Sequence, residues 1–300
     1  MKKIRFDIIK NRKIYYIVSL VIVLAGVIGF IVNGGFNLDI DFTGGTTMNI
    51  EMGEALDRAK LDRVEEVAEQ ALGEKPSVVQ KAGDSDSLLV IKTKELSTEQ
   101  RDALFQAIKE EFSLTVEAPE STENVSATVG EDIRNRAVLS VSVAAVLMLI
   151  YISIRFEFTS GVAAVVALLH DVMVMLAAYA IFQIPMNSTF IAAMLTIIGY
   201  SINATIIVFD RTRENRKKDF KRPFEEVAEE SIWQTMTRSI NTTVTTLLTI
   251  TMVYIFGVTS VRNFALPLII GIVAGLYSSI FLSSSIWISL RGLRHKKSAK

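Results

Sequence analysis

Six runs of mostly apolar residues, at about 14–32, 137–156, 162–182, 187–209, 239–256 and 266–289, constrain this chain more than any other feature in it. A helix needs about 20 such residues to cross roughly 30 Å of hydrocarbon, and each run meets that length. The chain has 300 residues, with 32 acidic side chains against 32 basic ones, and these are segregated between the runs. That pattern belongs to a polytopic α-helical membrane protein with six transmembrane helices, not to one soluble core. The first run follows a basic start (Lys2, Lys3, Arg5, Lys10, Arg12, Lys13). Its apolar stretch is too long for a signal peptide and lacks a small-x-small cleavage pattern, so an uncleaved anchor is expected.

Lys and Arg concentrate in cytoplasmic loops. Basic residues mark the N-terminus, the stretch from Arg211 and Arg213 to Lys221 and Arg222, and the tail at Arg291, Arg294, Lys296 and Lys297. The loops QIPMN and GVTSVRN carry only Arg262 between them. These biases agree on cytoplasmic ends at 1–13 and 290–300, a basic cytoplasmic loop at 210–238, and an extracytoplasmic domain at 33–136.

Composition excludes several chemistries. There is no cysteine, and the only histidines are His170 and His295, so neither a disulfide framework nor a thiolate metal site is available. No phosphate-binding G-x-x-x-x-G-K-[ST] loop or H-E-x-x-H motif occurs, and the balanced charge argues against a nucleic-acid partner. No enzymatic site, cofactor or metal centre is expected.

The segment after the first run reads as a folded α+β domain. Thr46–Met52 is a strand candidate, a helix follows near 55–72, and SVVQK and SLLVIKTK read as two more strands. A second helix starts at Ser97, with Gln100 placed for a capping box, and ends near Phe112; a last strand is expected from about Leu114. The order βαββαβ is that of a ferredoxin-like sandwich, a fold too widely used to give a function. The motif Asp41-Phe42-Thr43-Gly44-Gly45-Thr46 reads as a tight glycine turn into the first strand.

Polar residues interrupt three of the apolar runs. In the fourth, Thr196, Tyr200 and Asn203 share one helical face, with Gly199 beside it and Asp210 continuing it toward the cytoplasm; in the fifth, Arg238, Asn241, Thr242, Thr245 and Thr249 make a second stripe. The plainest readings are that Arg238 snorkels to the inner interface and that the Thr and Asn groups bond between helices. On the same view His170 and Asp171 sit at that interface, and Asp210 pairs with Arg211 or Arg213. Gly271-x-x-x-Gly275 reads as tight packing within the bundle. The stripes together outline a polar seam that either passes protons or packs against a partner.

LDIDFTGGT, YISIRFE, LLHD, LTIIGYSINATIIVFDRTREN and QTMTRSINTTVTTLL, in that order, resemble the SecF family of protein-export membrane subunits, part of the RND superfamily. The resemblance runs along nearly the whole chain. Asp41 to Thr46, His170, Asp171, Gly199, Asp210, Arg211, Arg213, Glu214 and Asn215 all lie in these shared motifs. It implies a multi-pass protein of the bacterial cell membrane that pairs with SecD and works with the SecYEG channel and the SecA motor. Such a protein uses the proton motive force to draw unfolded polypeptide outward, with protons as the only coupling species. The resemblance also implies an aspartate after Asn203 that shares a proton pathway with the arginine matched by Arg238. This chain has Ala204 there, which carries no proton. Either the aspartate of SecD and Arg238 suffice, or coupling is weakened, or alanine has been engineered into the carboxylate's place. The competing readings are an RND-type half-transporter for a small molecule or lipid, and a scaffold for SecD that takes no part in proton traffic.

Overall fold

The computed structural model describes residues 7–83 and 85–298, with the side chains of 259 and 293–298 left aside. The expected basic residues Lys2, Lys3 and Arg5, and the side chains of Arg294, His295, Lys296 and Lys297, lie outside that description. In chain order the elements are α1 (Arg12–Val32), α2 (Ile40–Thr43), β1 (Gly45–Glu51), α3 (Arg58–Leu72), β2 (Val78–Ala82), β3 (Leu88–Thr93), α4 (Thr98–Glu111) and β4 (Ser121–Val125). Then come α5 (Ala127–Arg155), α6 (Phe158–Phe182), α7 (Ser188–Lys218), α8 (Phe224–Phe256), α9 (Thr259–Tyr277), a π-helical turn (Ser278–Leu282) and α10 (Ser283–Ser298). The chain divides into a helical unit, 1–37 with 138–300, and a smaller unit, 38–137.

Six helices are long and apolar enough to cross a membrane: α1, α5, α6, α7, α8 and the continuous stretch Ser260–Gly292. Several outrun their apolar cores. The expected loop at 210–238 is helical except for 219–223, because Glu, Lys, Arg and Gln are good helix formers and pair along the helix. Lys218 bonds Glu214 at 2.7 Å, and Arg211 bonds the same carboxylate at 2.6 Å. Helix α8 then restarts directly after Pro223, whose fixed φ suits a helix entry.

Burial separates these helices into two kinds. The apolar windows of α6, α7 and the sixth span are 44%, 44% and 61% buried, against 11%, 6% and 11% for α1, α5 and α8. Lipid tails are as apolar as leucine, so close packing at small residues must hold such a bundle together. A Cβ on Gly271 would lie 2.5 Å from Ile197, and one on Gly275 would lie 3.2 Å from Ser201. Gly271-x-x-x-Gly275 therefore packs α9 against α7 inside the bundle. Gly26 does the same for α1, where a Cβ would fall 2.3 Å from that of Ala177 on α6.

The smaller unit is a four-stranded antiparallel sheet, ordered β2-β3-β1-β4. Met48 pairs with Ile91 and Ile50 with Leu89, and all four are buried on one face with Val64, Val67 and Ala68 of α3 and Leu104, Phe105 and Ile108 of α4. Each such large side chain contributes about 1.5–3 kcal/mol on burial. Ser97 and Gln100 close a reciprocal capping box at α4. Arg63 bridges Glu66 and Glu111 across the two helices, and its donated hydrogen bond holds the Glu111 carboxyl below the ordinary 4.5. A depressed folded-state value means this contribution is present above that pH and fades as pH falls through the folded value.

The last strand starts at Ser121 and not near Leu114. Ser113 takes a left-handed conformation (φ 49°), its N–H reaches Glu110 O, and Leu114 N–H reaches Lys109 O at 2.9 Å. This is a Schellman termination of α4, so Leu114 and Val116 are apolar residues that seal the helix end and pack on the core outside any strand.

Between α2 and β1 the chain turns through Gly44 (φ 73°) and Gly45 (φ 135°). A Cβ on Gly45 would stand 2.4 Å from the Thr93 carbonyl oxygen, whereas one on Gly53 (φ 72°) would meet nothing within 4 Å. Gly45→Ala is expected to destabilise the smaller unit by more than 2 kcal/mol and Gly53→Ala by about 1 kcal/mol. Hydrogen-exchange protection of β1 and β3 in the full-length protein checks the order of the two; equal effects would contradict it.

Candidate functional site

Asp171, in the middle of α6, is 1% exposed and is the one Asp, Glu, Lys or Arg buried among the described residues. Its Oδ2 accepts hydrogen bonds from Ser201 Oγ of α7 (2.6 Å) and Ser278 Oγ of the π-turn (2.9 Å), and His170 Nδ1 lies 3.2 Å from Oδ1. Beside this clasp, Ser279 Oγ donates to the Ser201 carbonyl (3.3 Å) and lies 3.0 Å from Thr205 Oγ1. A buried carboxylate is tolerable only when its oxygens are bonded in this way. The π-turn widens the helix locally and turns two successive serines toward α6 and α7, a use typical of such bulges at functional sites.

This placement corrects the expectation that His170 and Asp171 lie at the inner interface. Helix α6 begins at Phe158, ahead of Gly161, which carries both residues into the bundle. The imidazole is nearly buried, its Nε2 has no hydrogen-bond partner, and its ring centre lies 5.8 Å from that of Tyr277. Sequence reasoning missed Ser201, Thr205, Ser278 and Ser279. The signal was present in Tyr277-Ser-Ser-Ile-Phe-Leu-Ser-Ser-Ser285, a run of small hydroxyls within an apolar span.

The polar stripes of α7 and α8 meet, but on the outside of this chain. Thr196, Gly199, Asn203, Arg238, Asn241, Thr242, Thr245 and Thr249 are exposed, and Tyr200 and Ala204 are half-buried. One hydrogen-bonded link joins the helices here: Tyr200 Oη donates to Thr246 Oγ1 (3.2 Å) and approaches the Thr242 carbonyl (3.4 Å). Apart from Thr246, the threonine hydroxyls of these stripes bond within their own helices. Thr196, Thr242, Thr245 and Thr249 each donate to the carbonyl four residues back on their own helix. Asn203, Asn241 and the Arg238 guanidinium have no side-chain partner among the described residues.

Below this face a cleft of about 390 Å³ is lined by Tyr151, Arg155, Asp210, Arg211, Glu214 and Arg238, among others. Asp210 faces Arg155 of α5 at 3.9 Å and does not pair with Arg211 or Arg213. Neighbours in a helix point about 100° apart, so Arg211 instead bonds Gln234 and Glu214, and Arg213 donates to the Arg155 carbonyl. Asn215 closes the end of the α7–α8 contact through Ser231 (2.9 Å) and Gln234 (2.8 Å).

The glycine-turn motif belongs to the smaller unit and is structural there. Asp39 caps α2 and pairs with Lys92 at 2.8 Å, Asp41 lies in that first turn, and Phe42 is buried. Thr43 bonds backbone carbonyls, and Thr46 donates to Asn124 (2.6 Å) and accepts from Leu96 N–H (3.0 Å). Gly44, like Gly45, holds a backbone region that favours glycine, and a Cβ on it would stand 2.6 Å from Ala127.

Six apolar helices, one buried carboxylate clasped between three of them and an antiparallel sheet unit define a multi-pass membrane protein. Residues 105–292 match the family model described as protein export membrane protein SecD/SecF, C-terminal. Protein translocase subunit SecF of Alicyclobacillus acidocaldarius is 38% identical, over 99% of this chain and 97% of that one. Protein translocase subunit SecDF of Bacillus subtilis is 33% identical over 98% of this chain, which spans 39% of the longer relative. The crystal structure of SecDF from Thermus thermophilus, described as a translocon-associated membrane protein, superposes with a TM-score of 0.84 at 32% identity, covering 96% of this chain and 39% of that one. The chain belongs to the SecD/SecF family of protein-export membrane proteins, in its SecF branch.

Asp171→Leu leaves Ser201 and Ser278 without their acceptor, at a cost of about 2–4 kcal/mol, whereas Asp171→Asn keeps an acceptor oxygen and costs less. Unfolding of the detergent-solubilised protein should rank the two variants in that order. Equal midpoints for Leu, Asn and wild type would show that the clasp does not hold the bundle.

Proposed function

We propose that this chain acts beside a SecD-type subunit in the bacterial cell membrane, where the pair uses the proton motive force to promote protein export through SecYEG after the SecA-driven stage. The observation that carries this reading is the uncovered polar face of α7 and α8. Polar groups within or bordering a span normally face protein or water, and Asn203, Asn241 and Arg238 share one outward face. Such a face calls for a polar partner span, not lipid. The relatives named SecDF join the two names, and this chain matches 39% of their length, which supports a SecD-type portion beside it.

In this reading the route for protons runs along Tyr200, Asn203 and Arg238, and the partner supplies the carboxylate that Ala204 does not. Moving one charge across the membrane potential is worth about 2.3 kcal/mol per 100 mV, enough to bias a conformational cycle. No cofactor or enzymatic step enters it. The sheet order β2-β3-β1-β4 supports a ferredoxin-like assignment for the smaller unit. The basic residues at the ends of α7 and α10 support cytoplasmic termini, with the smaller unit on the far side.

Two measurements test the reading. A cysteine at position 203, as Asn203→Cys, is expected to cross-link to a co-expressed SecD-type subunit; cross-linking to lipid-facing probes alone would remove the shared face. Pulse-chase export with Arg238→Leu as the only copy, at unchanged membrane levels of both subunits, is expected to slow to the rate of a strain lacking this chain. Normal export would end the coupling role and leave a scaffold role, which requires no carboxylate at Ala204.

A further inference from the structure

Where α5, α7 and α10 come together, next to the Arg238 cleft and sharing Phe156 with it, lies a second hollow of about 300 Å³. Its charged lining is Arg213, Arg216, Lys217 and Arg291 against the single carboxylate of Glu157. Its apolar lining is aromatic, from Phe156, Phe220, Phe224 and Trp287. The two sets are interleaved: Arg291 lies 4.2 Å over the Phe224 ring and Arg216 lies 4.8 Å over that of Phe220. Stacking of this kind occupies the flat faces of the guanidinium groups and leaves N–H edges for an anion.

Donors in this hollow are left over. Trp287 is 3% exposed and its indole N–H has no partner, and Arg216 Nε is likewise buried and unbonded. Glu157 answers only part of the positive charge, at 3.7 Å from Arg291, and Lys217 has no side-chain partner among the described residues. A buried N–H with no acceptor costs about 1–3 kcal/mol, so an oxygen-rich ligand at this place would recover it. The rim is apolar as well as basic, since Phe220 is 77% exposed at the hollow's edge. A free anion would satisfy the cations and leave that rim in water.

We infer that this hollow binds the headgroup of an anionic phospholipid, its phosphate on Arg216, Lys217 and Arg291 and its glycerol ester region against the aromatic wall. Basic pockets between spans near the membrane surface take lipid headgroups by this chemistry. The site does not depend on proton coupling, and none of its lining residues belongs to the α7–α8 polar face.

The chain has two tryptophans, so the Trp233→Phe variant leaves Trp287 as the only fluorophore of its kind. That protein, reconstituted in phosphatidylcholine vesicles, is mixed with phosphatidylglycerol or phosphatidylcholine carrying brominated acyl chains. At equal mole fraction the brominated phosphatidylglycerol is expected to quench Trp287 several-fold more strongly. Lys217→Gln and Arg291→Gln should each lower that preference about fivefold, the worth of one cation near an anionic headgroup. Lys218→Gln, exposed and outside the lining, should leave it unchanged. Equal quenching by the two lipids, or a preference lost equally in Lys218→Gln, would overturn the site. Loss of the preference on adding millimolar inorganic phosphate would overturn the lipid assignment in favour of a free-anion site.

Discussion

The carboxylate of Asp171 is the constraint around which the helical unit is arranged. In hydrocarbon, apolar side chains have little preference for one another over lipid, so a bundle needs close backbone approach and internal polar bonds to fix its register. Both converge here. Gly275 lets α9 approach α7 at Ser201, and Ser201 is one of the two hydroxyls that bond Asp171. The second comes from Ser278, three residues after Gly275 and at the start of the π-turn. A regular helix through 278–282 would set a different phase for every residue beyond it, including Trp287 and Arg291. One buried carboxyl group thus fixes the relative setting of the third, fourth and sixth spans.

The helices outside this centre are of two chemical kinds. Along their apolar runs, the exposed large side chains of α1 and α5 are mostly leucine, isoleucine and valine, the surface that lipid solvates well. Helix α8 differs, because Arg238, Asn241, Thr242, Thr245 and Thr249 lie among its exposed apolar residues. Back-bonding satisfies the threonine hydroxyls without any neighbour, so they can face lipid or protein at little cost. The amides and the guanidinium have no such recourse. It is these few groups, and not the length of the polar stripe, that set this face apart from those of α1 and α5.

Much of this was legible in the sequence, and the misses share a cause. Apolar run length marked all six spans because the bilayer sets that length directly. Helix ends were less visible, since residues 210–218 and 224–238 are charged yet helical, and hydropathy does not register helix propensity. The sheet unit was readable through alternation, except where Leu114 and Val116 mimic a strand while closing α4. Partners across helices were the least visible. Asp210 finds Arg155 and Asp171 finds Ser201 and Ser278 through contacts separated by 55, 30 and 107 residues, and nothing local in the chain encodes them.

The alanine at position 204 takes its meaning from this division. Asp171 shows that the chain can hold a carboxyl group within its spans when two hydroxyl donors are arranged to receive it and an imidazole lies beside it. Position 204, half-buried beside exposed Asn203, has no comparable set among the described residues. A carboxylate placed there would depend on a group from outside the chain, or on Arg238 across the α7–α8 contact. With alanine in its place, Arg238 keeps no side-chain partner among the described residues, although Asp210 and Glu214 line the same cleft. The α7–α8 face therefore differs from the Asp171 clasp: Asn203, Asn241 and Arg238 are exposed there, and no set of neighbouring side chains satisfies them among the described residues.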